Sequence, residues 1–183
     1  MQTARIRVST GYCAYGSVGP DVRLQTPIRR HRSATGYGIF AETGFRRRHV
    51  ISRINGRLHH WRDLIEIGGT YLDNAFRFGP ETYLAPTEDA GRYLNHSCDP
   101  NAAVVKAGHR LLLVAVRSIR RGEEIVIDYS TIIGDDDTWT MRCRCGSHRC
   151  RRTIRRVSSL PLDILTAYIE KRMIPTYILR TMD

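Results

Sequence analysis

The chain has 183 residues, enough for one domain with a buried core, and it is strongly basic. It holds 29 Lys and Arg against 18 Asp and Glu, a net charge of +11. Lys106 and Lys171 are its two lysines, so the other 27 are arginine. With 42% hydrophobic residues, the composition excludes a disordered or collagen-like chain. The sequence has no apolar run near the roughly 20 residues of a membrane span. The residues after Met1 lack the apolar stretch of a classical signal peptide, so we expect none. We expect a soluble intracellular protein.

The basic residues are concentrated in three short runs, 29–32, 46–49 and 149–156. This charge favours an acidic partner, so a nucleic-acid contact through the basic surface is one expectation. An arginine-rich composition on solvated faces explains the same runs without any partner. The sequence lacks the interleaved aromatic and basic residues typical of single-stranded nucleic-acid sites. Nucleic-acid binding is therefore not predicted as the main function.

The first part of the chain predicts short strands separated by turns. Residues 1–21 form a lead-in in which Arg5–Val8 alternates with the period of a strand. Two glycines, Gly36 and Gly38, come just before a small apolar run. Residues 49–58 predict a strand that ends in an Asn-Gly turn.

The central part predicts a β-hairpin. Arg110–Val116 and Ile125–Tyr129 are both strand-like, and residues 118–123 between them have the composition of a turn. We expect these two strands to pair with each other.

The C-terminal part changes character. Residues 138–154 are rich in cysteine, and residues 155–183 predict helices. Pro161 suits a first helical turn, Pro175 ends that helix, and a short second helix is expected after it. Three residues at helical spacing predict one face that packs on the core: Leu162, Leu165 and Ile169. The predicted divisions are thus 1–21, 22–133, 138–154 and 155–183.

The cysteines predict a metal site. Cys143, Cys145 and Cys150 form a C-x-C-x4-C cluster, too closely spaced for good disulfide pairs but able to surround one cation. Zinc takes four tetrahedral ligands in structural sites, so a fourth must come from elsewhere. Cys98 is the favoured fourth ligand and His148 the rival. A disulfide is disfavoured because an intracellular compartment keeps thiols reduced. Cys13 is interpreted as an ordinary thiol.

Four motifs carry the functional prediction. They are Gly36–Ala41 (GYGIFA), Arg92–Asn101 (RYLNHSCDPN), Gly122–Tyr129 (GEEIVIDY) and Cys143–Cys150 (CRCGSHRC). In this order they resemble the SET-domain protein-lysine methyltransferases with a post-SET zinc segment. Gly-x-Gly alone is weak, but the Asn-His-Ser-Cys run and the final Asp-Tyr are specific. The resemblance spans about residues 22–152, and the short chain is similar to stand-alone bacterial or minimal eukaryotic members.

The resemblance implies a fold and two cofactors. The fold is mainly β (α+β), a SET-domain β-clip fold with a knot-like crossing of the Asn-His and Asp-Tyr segments, a small post-SET zinc site and C-terminal helices. The methyl donor is S-adenosylmethionine, and one structural Zn²⁺ is held by the cysteines, with Cys98 as fourth ligand. The expected substrate is a lysine-bearing protein, such as a histone or another basic protein, and no membrane partner is expected.

Methyl transfer to lysine sets the expected roles of the residues. The amine must be neutral, in line with the methyl–sulfur bond, and shielded from water. A tyrosine-lined apolar channel can orient the amine and lower its pKa by desolvation. Tyr129 is predicted to be the central catalytic tyrosine, with Tyr83 a second channel residue and Tyr71 a weaker candidate. The predicted cofactor-binding residues are Gly36, Tyr37, Gly38, Arg92, Tyr93, Asn95, His96, Tyr129 and Trp139.

Two other functions stay open on sequence grounds. A catalytically idle SET module could bind a partner, although Asn95, His96 and Tyr129 are all present. A zinc-stabilised nucleic-acid-binding protein is supported by the charge of +11 alone.

Overall fold

The computed structural model describes residues 27–69 and 73–183. The predicted strand Arg5–Val8, Cys13 and Tyr71 lie outside the described residues. Within the described ranges, no helix is both long and apolar enough to cross a membrane.

The described elements are short strands with a few short helices. The strands are β1 (Ile28–Ser33), β2 (Gly36–Ala41), β3 (Val50–Ile54), β4 (Gly56–His60), β5 (Phe76–Arg77), β6 (Thr82–Pro86), β7 (Asn95–His96), β8 (Ala102–Ala107), β9 (Arg110–Ala115), β10 (Glu124–Ile127), β11 (Met141–Arg142) and β12 (Thr153–Ile154). The α-helices are α1 (Trp61–Ile67), α2 (Asp89–Arg92), α3 (Leu162–Glu170) and α4 (Thr176–Leu179).

The strands form four small sheets. Their orders are β1-β2-β10-β7, β3-β9-β8, β4-β6-β5 and β11-β12. The main core lies between the sheets and includes the buried face of β10, where Ile125 and Ile127 are fully buried while Glu124 and Val126 alternate with them. This period of two is why the segment forms a half-buried strand.

The predicted hairpin is wrong in its pairing, although both strands exist. β9 pairs with β8 and β3, while β10 pairs antiparallel with β2 and parallel with β7. The intervening loop folds onto β2, because Gly122 N–H donates to Ala41 and Ala41 N–H donates to Glu123. Apolar faces decide which strands meet, and a local pattern does not contain that information.

The Asn-Gly pair also differs from its prediction. Strand β3 ends at Ile54, and β4 starts at Gly56 in a different sheet. Asn55 therefore connects two sheets and does not begin a hairpin turn. A Cβ on Gly56 would lie 2.3 Å from the carbonyl oxygen of Ala85 on β6. Close approach of two strands therefore accounts for this glycine.

The C-terminal helices pack on a second core cluster that includes Ala103 of β8. Helix α3 and the short helix α4 confirm the expected pair. Leu165 is buried as predicted, but Leu162 is 74% exposed and Tyr168 is buried instead. Leu162 is the first helical residue, and the helix meets the core only after this first turn.

Candidate active site and metal centre

The parallel pairing of β7 with β10 brings two distant motifs together. Asn95 lies opposite Val126 and His96 opposite Ile127, so the Asn-His-Ser-Cys segment runs beside the strand that leads into Tyr129. The backbone N–H of Tyr129 donates to Nδ1 of His96 at 3.1 Å. This is the crossing that the family resemblance implied.

A cavity of about 590 Å³ opens beside this crossing. Tyr83, Tyr129 and Trp139, all singled out from the sequence, lie on its wall. Most of its other side chains are apolar and come from α1, β5, the residue before β7 and the segment after Tyr129: Trp61, Leu64, Ile65, Phe76, Leu94, Ile132 and Ile133. We call this cavity the channel.

Tyr129 is half-buried in the channel wall and its ring contacts two other rings. The ring centroids of Tyr129 lie 5.3 Å from His96 and 6.3 Å from Trp139. Its hydroxyl donates to the carbonyl oxygen of Leu94 at 2.7 Å. Burial, assisted by the nearby Glu124 carboxylate, raises the pKa of Tyr129 to about 12. The phenol is therefore protonated at neutral pH, and its oxygen can still accept a hydrogen bond from a ligand.

The channel wall also contains an ion pair that the sequence did not reveal. Arg77 is buried and donates to both carboxylate oxygens of Asp136, including Nη2 to Oδ2 at 2.6 Å. It also donates to the carbonyls of Gly79 and Pro80. The Arg77 guanidinium holds the pKa of Asp136 below its ordinary value. Burial raises the pKa of Tyr83, which lies opposite Arg77 across two strands. No local pattern links residues 59 positions apart.

Three of the predicted cofactor residues meet around Glu124. Nδ2 of Asn95 donates to the carbonyl of Tyr37 at 2.9 Å and to Oε1 of Glu124 at 2.7 Å. A Cβ on Gly38 would collide with Oε1 of Glu124, so any side chain there would displace this carboxylate from Asn95. Glu124 also accepts from Ser33. The sequence motif contained Glu124 without suggesting this role.

Tyr37, Arg92 and Tyr93 lie together on the surface next to this group. The rings of Tyr37 and Tyr93 are 6.0 Å apart, and the Arg30 guanidinium lies 5.3 Å and 4.8 Å from their centroids. The Arg92 guanidinium lies 6.0 Å from Tyr93. Aromatic and basic side chains thus interleave in space, although they do not do so along the chain.

The side chain of His96 is buried and is not available to bind a ligand directly. Its ring is 4% exposed, with Nδ1 accepting from Tyr129 and Nε2 lying 3.3 Å from Sγ of Cys98. Burial, assisted by Arg151 and opposed by Asp128, lowers the pKa of His96 to about 4. The imidazole is therefore neutral, with both nitrogens engaged inside the protein, and its backbone is the part left for a cofactor.

Three of the four predicted metal ligands lie together beside His96. The donor atoms of Cys98, Cys143, Cys145 and His96 all lie within 4.8 Å of one another. Cys150 packs against the same cluster, and the four cysteines are free thiols. His148 is exposed and is not part of this group.

A buried charge network connects the cysteine segment to the Asp-Tyr motif. Asp128 is fully buried and accepts two hydrogen bonds from Arg151, at 2.6 and 2.7 Å. Tyr168 of α3 donates to the same carboxylate at 3.2 Å, and the backbone N–H of Arg151 lies 3.4 Å from Sγ of Cys98. Such a pair holds its geometry tightly, because an unpaired buried carboxylate would be strongly unfavourable. Apart from the Asp-Tyr motif, no sequence pattern predicts this charge network.

The comparisons with known proteins agree with this arrangement. The SET domain family model matches residues 36–130, which is 95 of 183 residues. A relative in Emericella nidulans, "Histone-lysine N-methyltransferase, H3 lysine-4 specific", is 32% identical over 145 residues, which cover 70% of this chain and 12% of that protein. "Histone-lysine N-methyltransferase Su(var)3-9" of Drosophila melanogaster is 28% identical over 159 residues, 71% of this chain and 25% of that protein.

A solved structure supports the fold. The crystal structure of KRYPTONITE in complex with mCHG DNA and SAH matches with a TM-score of 0.59 and 24% identity, covering 73% of this chain and 30% of that chain. The chain spans a quarter or less of the length of both curated relatives. The predicted fold class, mainly β with C-terminal helices, is confirmed. By its matched motifs, its strand crossing and its family model, this chain belongs to the SET-domain family.

Proposed function

We propose that this protein is a protein-lysine N-methyltransferase that uses S-adenosylmethionine and acts on a histone or another basic protein. The observation that supports this most directly is the channel, which Tyr83, Tyr129 and Trp139 line beside the β7–β10 crossing. The named relatives of the family are histone-lysine methyltransferases.

The side chains around Asn95 suit both the amino-acid end and the adenine ring of the cofactor. Both amide hydrogens of Asn95 are used within the protein, which leaves its oxygen to accept from an ammonium group. Tyr37 and Tyr93 offer ring faces, and Arg92 offers a cation for a carboxylate. Gly36, Gly38, the His96 backbone and Trp139 complete the proposed binding set. When bound, the cofactor supplies an electrophilic methyl group on a sulfonium.

The channel would prepare the lysine amine for attack. Its apolar wall disfavours the ammonium form, so desolvation lowers the lysine pKa toward neutrality. Tyr129 is the proposed catalytic tyrosine, because its phenol donates to Leu94 and keeps a lone pair that can orient the amine. Tyr83 and Trp139 line the same channel and would help to exclude water from the amine. Holding the amine in near-attack geometry is worth several kcal/mol by itself.

We propose that Cys98, Cys143, Cys145 and Cys150 hold one structural Zn²⁺. The argument against His96 as a ligand is its proton: Nδ1 accepts from the Tyr129 N–H, so the hydrogen of the neutral ring is on Nε2 and no lone pair faces the sulfurs. Cys150 then completes four sulfur ligands, and His96 donates to the Cys98 sulfur from outside. Free thiols in this number fit a reducing, intracellular location.

The activity is tested by incubating the protein with labelled S-adenosylmethionine and core histones, ribosomal proteins and a lysine-peptide array. We expect label on lysine in at least one basic substrate, located by mass spectrometry. Cofactor binding by calorimetry without label on any substrate would instead support the idle SET module.

The metal is tested by elemental analysis of the purified protein. We expect about one zinc per chain, reduced in Cys98→Ser and in Cys150→Ser and unchanged in His148→Ala. Loss of zinc in His148→Ala with retention in Cys150→Ser would contradict the proposed ligand set.

A further inference from the structure

A second cleft, separate from the channel, lies where the residues after α3 meet the loop before β3. It has a volume of about 330 Å³ and shares no lining residue with the channel among the described residues. Its lining consists of Arg47, Arg48, Ala115, Val116, Glu170, Lys171 and Arg172. We call it the basic cleft.

The charge of this cleft is one-sided. Four cationic side chains and one carboxylate, that of Glu170, line the cleft, which gives a local charge of +3. None of the four cations forms a salt bridge with any described residue. All four are exposed, so the cleft is lined by like charges that have no ion-pair partner among the described residues.

Two of the four cations sit on backbone that is unusual for a residue with a side chain. Arg48 has φ of 71° and Arg172 has φ of 54°, both in the left-handed region that favours glycine. Both are anchored, since Arg48 N–H donates to Ala115 at 2.7 Å and Arg172 N–H donates to Ile169 at 2.9 Å. The chain therefore holds arginine side chains at the rim where glycine would be the less strained choice.

Helix-end electrostatics explains part of the cluster but not the whole. Lys171 and Arg172 follow the C-terminus of α3, where positive charge is favourable. Arg47 and Arg48 come from a loop more than 120 positions away in sequence and have no such helix end of their own. Phe45 bridges to Ile119, so this loop also lies beside the segment that carries Arg117, Arg120 and Arg121.

We propose that the basic cleft binds the phosphate backbone of a nucleic-acid duplex. Guanidinium groups match phosphate geometry by paired hydrogen bonds, and three of the four cations are arginine. Arginines continue beyond the cleft, which suits a repeating array of phosphates rather than one carboxylate. The described lining has no aromatic ring for base stacking, which single-stranded sites use, so a duplex is favoured.

A membrane surface fits less well. Peripheral membrane binding needs apolar side chains beside the cations, and the cleft lining has only Ala115 and Val116. The large exposed apolar side chains of the described residues are elsewhere: Tyr37, Leu58, Trp61, Ile65, Ile67, Met141 and Leu162.

The test measures binding of a fluorescent 20-base-pair DNA duplex by anisotropy over a range of salt concentrations. The variant is Arg47→Gln with Lys171→Gln, since neither residue has a left-handed backbone. Each lost phosphate contact lowers the slope of log K against log salt by about 0.9, so the slope should fall by about 2 and binding at 0.15 M salt should weaken by about 30-fold.

The matched control is Arg53→Gln with Arg57→Gln, two exposed arginines outside the cleft. It removes the same net charge and should change the affinity by less than about twofold. Glu170→Gln should tighten binding, because it removes the carboxylate of the cleft. Circular dichroism melting shows that each variant is folded.

Two outcomes would overturn the proposal. One is equal weakening by the cleft and control variants, which would mean a diffuse effect of net charge. The other is tighter binding of anionic vesicles or of polyglutamate than of the duplex at equal charge, which would assign the cleft to a membrane or an acidic protein. Neither outcome bears on methyl transfer, which uses other residues.

Discussion

The channel and the basic cleft differ in almost every property that governs binding. The channel is apolar and aromatic, and its charged residues are Asp73, Asp136, Asp137 and one arginine that is already paired. The cleft has four cations, one carboxylate and no described aromatic residue. A chain with a net charge of +11 therefore separates its charges in space. Global charge would repel a lysine-rich substrate, but the local charge around the channel does the opposite.

The largest expected effect concerns the channel. Tyr129→Phe should lower kcat by about 100-fold, because the hydroxyl that orients the amine is lost. Tyr168→Phe is the matched control: it also removes a buried tyrosine hydroxyl, but one outside the channel, and should keep most activity. Single-turnover methyl transfer with a lysine peptide measures both. Equal losses in the two variants would make Tyr129 a structural residue.

A crossed experiment tests whether the two regions are independent. The Arg47→Gln and Lys171→Gln double variant should keep kcat/KM for a short lysine peptide within about twofold, because sites without shared partners act additively. Tyr129→Phe should likewise keep duplex affinity. A common loss in both assays would show that the regions are coupled through α3.

A smaller effect, on KM, is expected from Asp73 and Asp137, two carboxylates that line the channel. Asp73→Asn with Asp137→Asn should raise KM for a basic peptide by about fivefold with little change in kcat. Asp73 is exposed and Asp137 half-buried, and charges that reach solvent contribute up to about 1 kcal/mol each. Asparagine at 137 keeps the acceptor for the Trp139 N–H. The difference should shrink in high salt. Asp163→Asn with Asp183→Asn, two exposed carboxylates outside the channel, should leave KM unchanged.

The smallest effect concerns pH. Arg77 lowers the pKa of Asp136 in the folded protein, so this pair stabilises the fold above the unfolded pKa of the carboxyl and the contribution is lost as pH falls through the lower folded pKa. Denaturant unfolding of Asp136→Asn between pH 2 and 6 should therefore show a weaker loss of stability in acid. An unchanged acid profile would contradict a role for this pair in stability.

Sequence patterns were most informative where a residue's role is local. The GEEIVIDY run predicted strand β10, and the cysteine spacing predicted a cluster that the fold brings together with Cys98. The partners of β10 could not be predicted, because they depend on faces contributed by β2 and β7.

Ion pairs between residues far apart in the chain could not be predicted either, because they also depend on how distant segments pack. The Arg77–Asp136 and Asp128–Arg151 pairs each join segments whose meeting is decided by the whole fold. The 46–49 run was visible as charge, but its meeting with Lys171 and Arg172 was not. The family resemblance predicted the crossing of β7 and β10 and suggested the roles proposed for Tyr129 and Asn95. The periodicity of the sequence alone would not have suggested either.

The parallel pairing of β7 and β10 has a consequence for biosynthesis. Asn95 meets a strand 31 positions later, and Asp128 obtains its guanidinium partner only when Arg151 has been made. Pairings of this range form late, because loop closure precedes their gain in free energy. A nascent chain that stops before β10 lacks the part of the channel wall that Tyr129, Ile132 and Trp139 contribute. One that stops at Tyr129 carries the Asp128 carboxylate without its Arg151 partner. Truncations from the C-terminal side should thus be poorly folded well before they reach the last residue of the family motif.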